Sequence, residues 1–145
     1  MNLVSFGNAD TISRFNYKSQ LKLFIEEIFK RETVALASLQ YIFCTDEYLL
    51  ELNKQFLNHD YYTDIITFNL SDSTAMVGEV YISIDRVRDN ALNLGISFQQ
   101  EIQRVIFHGA LHLCGYKDKR KAEVVTMRKK EEEYLHLFKD WKHTW

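Results

Sequence analysis

Two histidines and one aspartate in the segment FHGALHLCGYKD have the types and spacing of metal ligands. His108 and His112 are four positions apart, and four residues of an α-helix rotate by about 400°, so both imidazoles leave one face about one turn apart. Gly115 can end that helix in a left-handed conformation and turn the chain, which returns Asp118 toward the histidines. Two imidazole nitrogens and one carboxylate oxygen suit Zn²⁺ and leave a fourth position for water. The pattern therefore predicts an open, catalytic metal site with one zinc per chain.

The same spacing has a structural alternative. Partly buried histidines at the end of a helix often bond to nearby backbone groups without binding a metal. On the spacing alone, the two interpretations carry about equal weight. The segments around the histidines must decide between them.

Composition and charge exclude several classes of protein. The chain has 145 residues, 46% of them hydrophobic, as expected for one globular domain with a real core. The 18 Lys and Arg against 20 Asp and Glu give a formal charge of −2, so contact with nucleic acid must be local. We find no apolar run long enough for a signal peptide or a membrane span, so we expect a cytoplasmic protein without membrane contact. Cys44 and Cys114 are predicted to be free thiols.

The elements that must position the site mix strands and helices. Apolar residues at helical or alternating spacing predict helices over residues 18–30 and 121–137, and strands over 33–44, 64–68 and 80–84. Thr45 or Asp46 can cap a helix that carries Leu49, Leu52 and Phe56. Asp85 can cap a further helix that Gly95 ends, and Ser97 with Gln100 fits a capping box that opens a helix through Leu113. Turn residues at 71–74 predict that the last two strands form a hairpin. The sequence therefore predicts an α/β fold, with residues 1–145 as a single domain. We expect a mixed β-sheet of about four strands packed with about five helices.

Three segments together resemble the YbeY endoribonuclease family. HGALHLCGY resembles the family pattern HGxLHLxGY, which is followed two residues on by a third histidine. LNKQFLNHDYYTDIITF, at 52–68, resembles LNxxYRxxDxxTDVLSF, and GEVYI, at 78–82, resembles the GDIxI strand. The order and spacing of the three segments match over roughly residues 45–135.

The resemblance implies a single-strand-specific, zinc-dependent endoribonuclease, a hydrolase of RNA phosphodiester bonds. Its implied roles are rRNA processing, notably 3′ end maturation of small-subunit rRNA, and ribosome quality control. Its implied partners are single-stranded RNA, rRNA, and the ribosome or ribosomal proteins. His108 and His112 fall on the first two metal ligands of the family and would act in catalysis through the metal, and Asp118 falls on the third.

Two positions depart from the family pattern. Asp118 replaces a histidine, and its negative charge offsets more of the metal charge, so a bound water should be acidified less. Leu57 replaces an arginine that the family places near its metal, and leucine cannot hold a phosphate. Four basic residues could supply the missing phosphate contacts, although such a cluster is also typical of a solvated helix face. They are Lys117, Lys119, Arg120 and Lys121.

These departures keep an alternative open: a ribosome-associated RNA-binding protein whose zinc is mainly structural. A metalloprotease is a further alternative, because the spacing from His112 to Asp118 resembles the metzincin motif. Metzincins need a glutamate after the first histidine as general base, and this chain has Gly109 there. Proteolysis is therefore the weakest of the three.

Several other side chains are lesser candidates. Asp64 and Glu79 could orient a metal ligand, but carboxylates at strand ends more often cap local backbone groups. As a second metal site, His59 and Asp60 have little support beyond their residue types. Two adjacent aromatic residues could stack on unpaired bases, although aromatic residues that enter a strand are usually packed in a core or rim. They are Tyr61 and Tyr62.

Overall fold

One mixed sheet contains all the strands in the computed structural model, which describes residues 2–144. The strands are β1 (Val4–Asn8), β2 (Leu36–Cys44), β3 (Ile65–Asn69) and β4 (Met76–Ser83), and their order in the sheet is β1-β2-β4-β3. The β1/β2 and β2/β4 pairs are parallel, whereas β3 and β4 form the predicted antiparallel hairpin. The predicted mixed sheet of four strands is therefore confirmed. The apolar opening of the chain forms its first strand.

Residues 2–144 also form five helices, as predicted. They are α1 (Lys18–Arg31), α2 (Asp46–Leu57), α3 (Ile84–Leu94), α4 (Phe98–Leu113) and α5 (Lys121–Trp141). The predicted capping box at the start of α4 is present between Ser97 and Gln100. Gly95, with φ 68°, ends α3 as predicted. Among the described residues, no helix is both long enough and apolar enough to cross a bilayer.

Helix α3 begins earlier than predicted. The alternation predicted a strand that continues to Ile84, with Asp85 as the helix cap. In the structure Ile84 is already helical, and the Ser83 hydroxyl is the cap that accepts the Arg86 N–H at 3.1 Å. Asp85 instead accepts the backbone N–H of Asp46 at 2.9 Å, at the start of the neighbouring helix. Tertiary packing of two helix N-termini thus decided which residue caps α3.

Two glycines allow α4 to approach the hairpin closely. A Cβ on Gly109 would lie 2.9 Å from both Ile65 Cδ1 and Val80 Cγ1. Across the interface, a Cβ on Gly78 would lie 2.8 Å from Leu113 Cδ1 at the end of α4. The helix that carries both candidate histidines is therefore fixed at short distance against β3 and β4.

Candidate metal centre

The structure brings His108, His112 and Asp118 together. The two histidines lie on the last turns of α4, and Asp118 lies in the loop that precedes α5. Nε2 of His108 is 3.1 Å from Asp118 Oδ2, and Nε2 of His112 is 3.3 Å from the same oxygen. One potential ligand atom from each residue lies within 4.8 Å of the others, and no other such group of three is present in residues 2–144. The arrangement could hold a metal ion.

The other nitrogen of each imidazole ring is already bonded. Nδ1 of His108 lies 2.5 Å from Glu131 Oε2, and Nδ1 of His112 lies 2.9 Å from the backbone oxygen of Tyr116. In the tautomers in which Nδ1 donates to these acceptors, both Nε2 lone pairs face Asp118. A hydrogen bond on the far nitrogen fixes the ring orientation and raises its basicity as a ligand. The donor set therefore fits a metal such as zinc.

A buried ionic network supports His108. Glu131, on α5, is only 1% exposed, and its carboxylate also accepts from Arg104 at 3.0 Å and from Arg128 at 3.2 Å. Glu101, fully buried, binds the same Arg104 guanidinium through two hydrogen bonds of 2.8 and 2.7 Å. Burial alone would raise the pKa of Glu131, but the hydrogen bond with His108 and the charge of Arg104 bring it below its ordinary value. Glu131 is thus an ionised carboxylate that accepts a hydrogen bond from Nδ1 of His108.

The loop after α4 is anchored by hydrogen bonds to Glu32. Gly115 has φ 106°, a conformation that favours glycine, and it turns the chain so that the carbonyl of Tyr116 meets His112. The Tyr116 hydroxyl donates to Glu32 at 2.7 Å, and the Tyr134 hydroxyl donates to the same carboxylate. Burial would raise the pKa of Glu32, but these hydrogen bonds lower it below its ordinary 4.5. The loop is therefore tied to α1 and α5 through one carboxylate.

A groove of about 300 Å³ opens beside His112. Leu57, at the position where the family pattern has arginine, lines this groove and is 40% exposed. Lys119 lines the same groove and is exposed, so the groove contains an ammonium group although it lacks the guanidinium. His59 and Tyr61, from the loop between α2 and β3, form another part of its wall.

The four basic residues predicted to bind substrate differ in the cavities that they line. Only Lys119 shares the groove with His112. Lys117 lines a different cavity, of about 440 Å³, between the loop and α5. Arg120 and Lys121 are exposed at the start of α5 and line neither of these two cavities. Of these four residues, Lys119 is therefore the one that lines the groove beside His112.

Asp64 and Glu79 are bound by other side chains and are not part of the metal group. The Asp64 carboxylate accepts from the Asn90 side chain at 3.2 Å, and its backbone oxygen accepts the N–H of Ser83 at 2.9 Å. Glu79 accepts from the Tyr81 hydroxyl at 3.2 Å. Both carboxylates thus accept from side chains, on α3 for Asp64 and on β4 for Glu79.

His59 and Asp60 do not form a second metal group in the described chain. Asp60 lies 3.6 Å from the Lys54 ammonium and is largely exposed. The His59 ring stacks on Tyr61, with centroids 5.0 Å apart and planes 22° apart. The contacts of these two residues therefore differ, although they are adjacent in sequence.

Glu131 was not predicted from the sequence, although its position on α5 indicates that it is buried. Buried positions on α5 follow one helical stripe through Met127, Glu131, Tyr134 and Phe138. A carboxylate on such an apolar stripe must be paired, because an isolated buried charge is costly. Because α5 carries many other charged residues, Glu131 is not conspicuous in the sequence as the one that faces inward.

The position after the first histidine has no room for a general base. Gly109 faces Ile65 and Val80 of the hairpin, and even the methyl group of an alanine there would lie only 2.9 Å from their side chains. A glutamate there, which the metzincin interpretation needs, would point into packed core. The structure thus gives Gly109 a packing role.

Comparisons with known proteins agree on one family. The family model described as "Endoribonuclease YbeY" matches residues 4–139. A protein named "Endoribonuclease YbeY" from Cytophaga hutchinsonii is 44% identical over 137 residues, covering 94% of this chain and 96% of its own. One of the same name from Flavobacterium psychrophilum is 43% identical, covering 86% and 94%.

The fold also has a solved counterpart. The solution structure of a protein from Thermotoga maritima superposes with a TM-score of 0.67 at 30% sequence identity. The match covers 97% of this chain and 93% of that protein. Sequence motifs, fold and relatives are thus in agreement, and the chain belongs to the YbeY endoribonuclease family.

Proposed function

We propose that this endoribonuclease of rRNA processing cleaves single-stranded RNA at a zinc ion held by His108, His112 and Asp118. Membership in the endoribonuclease family supports RNA as the substrate and hydrolysis of its phosphodiester bonds as the reaction. Residues 1–145 would form one domain that carries the whole site. The substrate would include the 3′ end of small-subunit rRNA. The enzyme would act in the cytoplasm, on the ribosome and in its quality control.

The observation that carries this proposal is the convergence of three ligand atoms. Both Nε2 atoms face one carboxylate oxygen of Asp118, and both Nδ1 atoms are held from behind. A zinc ion in a site with three protein ligands keeps a position open and supplies Lewis-acid polarisation of a phosphate or water oxygen. The protein's own contribution is to fix the rings before substrate binds.

Lys119 would hold the phosphate. It is exposed in the groove beside His112, where the apolar Leu57 provides no charge. An ammonium group binds phosphate as a point charge rather than through two parallel hydrogen bonds, so its hold is less directional than that of arginine. We therefore expect phosphate binding that depends on salt but tolerates small shifts of the strand.

The test compares three proteins purified identically: wild type, the double variant His108→Ala/His112→Ala, and His136→Ala. His136 is exposed on α5 and is not part of the metal group, so it controls for loss of a histidine. We expect wild type and His136→Ala to bind one zinc per chain and to cleave a labelled single-stranded RNA. The double variant should do neither. Equal cleavage by all three would refute the proposal.

One outcome would favour the alternative that the sequence left open. Zinc bound by wild type, RNA bound without cleavage, and zinc lost in the double variant would indicate an RNA-binding protein with a structural metal. The apolar Leu57 in the groove is the observation that keeps this alternative in the test. Asp118→Ala adds an independent check, because unchanged zinc occupancy would remove Asp118 from the ligand set.

A further inference from the structure

We propose that Tyr61, backed by His59, is the platform on which an unpaired base of the RNA strand stacks next to the scissile phosphate. The inference rests on the proposed function, since it assigns the base contact of that same site. It names a residue that determines specificity rather than one that acts on the phosphate.

The two rings form an exposed aromatic surface. Tyr61 is 56% exposed, and its one aromatic neighbour in residues 2–144 is His59, whose ring lies nearly parallel at 5.0 Å. The Tyr61 hydroxyl lies 3.0 Å from His59 Nδ1, so a hydrogen bond fixes one ring against the other. Large exposed aromatic rings that are held in place suit base stacking, because every base offers a π face.

The helix below the platform holds it in position. Asn53 is 1% exposed on α2, and its side-chain amide donates to the backbone oxygen of Tyr61 at 2.9 Å. The backbone oxygen of Asn53 accepts the N–H of His59 at 3.1 Å. One buried residue thus fixes both platform residues through its side chain and its backbone. A platform ordered in advance loses less conformational entropy when a ligand binds.

The platform and the metal group belong to one groove. His59 and Tyr61 line the same groove of about 300 Å³ as His112 and Lys119. A strand whose phosphate lies at His112 and Lys119 therefore has the ring of Tyr61 available for an adjacent base. In a duplex that base is paired and stacked on its neighbours, whereas in a single strand it is free to turn onto a protein ring. The platform would thus favour single-stranded substrate.

Tyr62 provides a matched control. It is the next residue, and its 47% exposure is close to that of Tyr61. Its hydroxyl donates to Glu47 at 2.7 Å, and its ring faces the Arg86 guanidinium at 5.3 Å. It does not line the groove of His112. Loss of the Tyr62 ring should therefore leave RNA binding in that groove unchanged.

The experiment measures fluorescence anisotropy of a labelled 2′-O-methyl oligouridine of eight nucleotides, whose integrity a gel verifies, with zinc-loaded protein. A second probe carries abasic positions along the same backbone. Tyr61→Ala should weaken binding of the first probe by about 5- to 150-fold, the range for loss of one base stack. Tyr61→Phe keeps the ring but loses the hydrogen bond to His59, so it should weaken binding less than Tyr61→Ala does. Tyr62→Ala should bind the first probe like wild type. Wild type should bind the abasic probe more weakly, whereas Tyr61→Ala should not distinguish the two probes.

Equal affinity of wild type and Tyr61→Ala for the oligouridine would overturn the inference, as would equal discrimination between the two probes. If Tyr61 had only a structural role, Tyr61→Ala would weaken the binding of both probes by the same factor. Cleavage of unmodified RNA by wild type reports separately on the proposed function. If wild type cleaves RNA but Tyr61→Ala binds the oligouridine as tightly as wild type does, the platform is refuted and the proposed function stands. If binding depends on the bases but no RNA is cleaved, the proposed nuclease activity is refuted and the platform stands.

Discussion

Glu131→Gln is the substitution that most directly tests how the fold prepares the metal centre. The change keeps the size of the side chain and one acceptor oxygen but removes the negative charge that meets His108 Nδ1 at 2.5 Å. A carboxylate holds an imidazole as a proton donor better than an amide does, since an ionised acceptor makes the stronger hydrogen bond. We therefore expect His108 to remain in place but to become a weaker metal ligand.

The structure sets the magnitude of two separate effects. Loss of a residue that orients a metal ligand typically reduces metal affinity by about 10- to 100-fold, which corresponds to about 1.4–2.8 kcal/mol. Stability should also fall, because the guanidinium of Arg104, whose side chain is 17% exposed, loses the charge of one of its two carboxylate partners. Breaking a buried pair costs about 3–5 kcal/mol. Since Glu101 still binds Arg104 through two hydrogen bonds, we expect a smaller loss of about 2 kcal/mol, in the range of one charged hydrogen bond.

The assay pairs zinc competition against a chelator with urea denaturation, both at a temperature where circular dichroism shows a folded protein. Glu132→Gln is the matched control, because it removes the same charge one position away on the exposed side of α5. It should change zinc affinity by less than about twofold and stability by less than about 0.5 kcal/mol. If Glu131→Gln loses stability but binds zinc within twofold of wild type, Glu131 supports the fold alone and the reasoning is refuted.

Three further predictions concern the groove, the packing of α4 and acid stability. Lys119→Ala should reduce the slope of log affinity for RNA against log salt by about 0.7, as for one phosphate contact in a single strand, whereas Lys117→Ala, in the other cavity, should leave the slope unchanged. Gly109→Ala should lower the free energy of unfolding by about 1–3 kcal/mol, because its methyl group would lie 2.9 Å from Val80 Cγ1; an unchanged urea midpoint would contradict this. The folded-state pKa of Glu32 is lowered from 4.5, so its stabilisation is present above pH 4.5 and is lost as the pH falls through the folded value. Glu32→Gln should therefore unfold with a shallower acid dependence below pH 4.5, and an acid titration identical to that of wild type would exclude this contribution.

Much of the fold followed from local pattern. The helical spacing of apolar residues predicted α1 to within one residue of its observed end, and Ser97 with Gln100 predicted the start of α4. Both signals depend on neighbours within one or two turns, which the sequence alone determines. The prediction that Asp85 caps α3 was wrong. Ser83 is the cap, and the Asp85 carboxylate accepts the backbone N–H of Asp46 on another helix. A donor that lies 39 residues away leaves no local signal.

The chemistry of the candidate site divides in the same way. The sequence by itself determined that His108 and His112 share a helix face and that Gly115 turns the chain after them, because helical rotation and backbone sterics are local. Only the tertiary structure decided that Glu131 meets His108, and that Lys119 alone of the four predicted basic residues shares the groove with His112. These contacts depend on how α5 and the loops pack across space. Packing of separate elements is a property of the whole fold, so no local spacing specifies it.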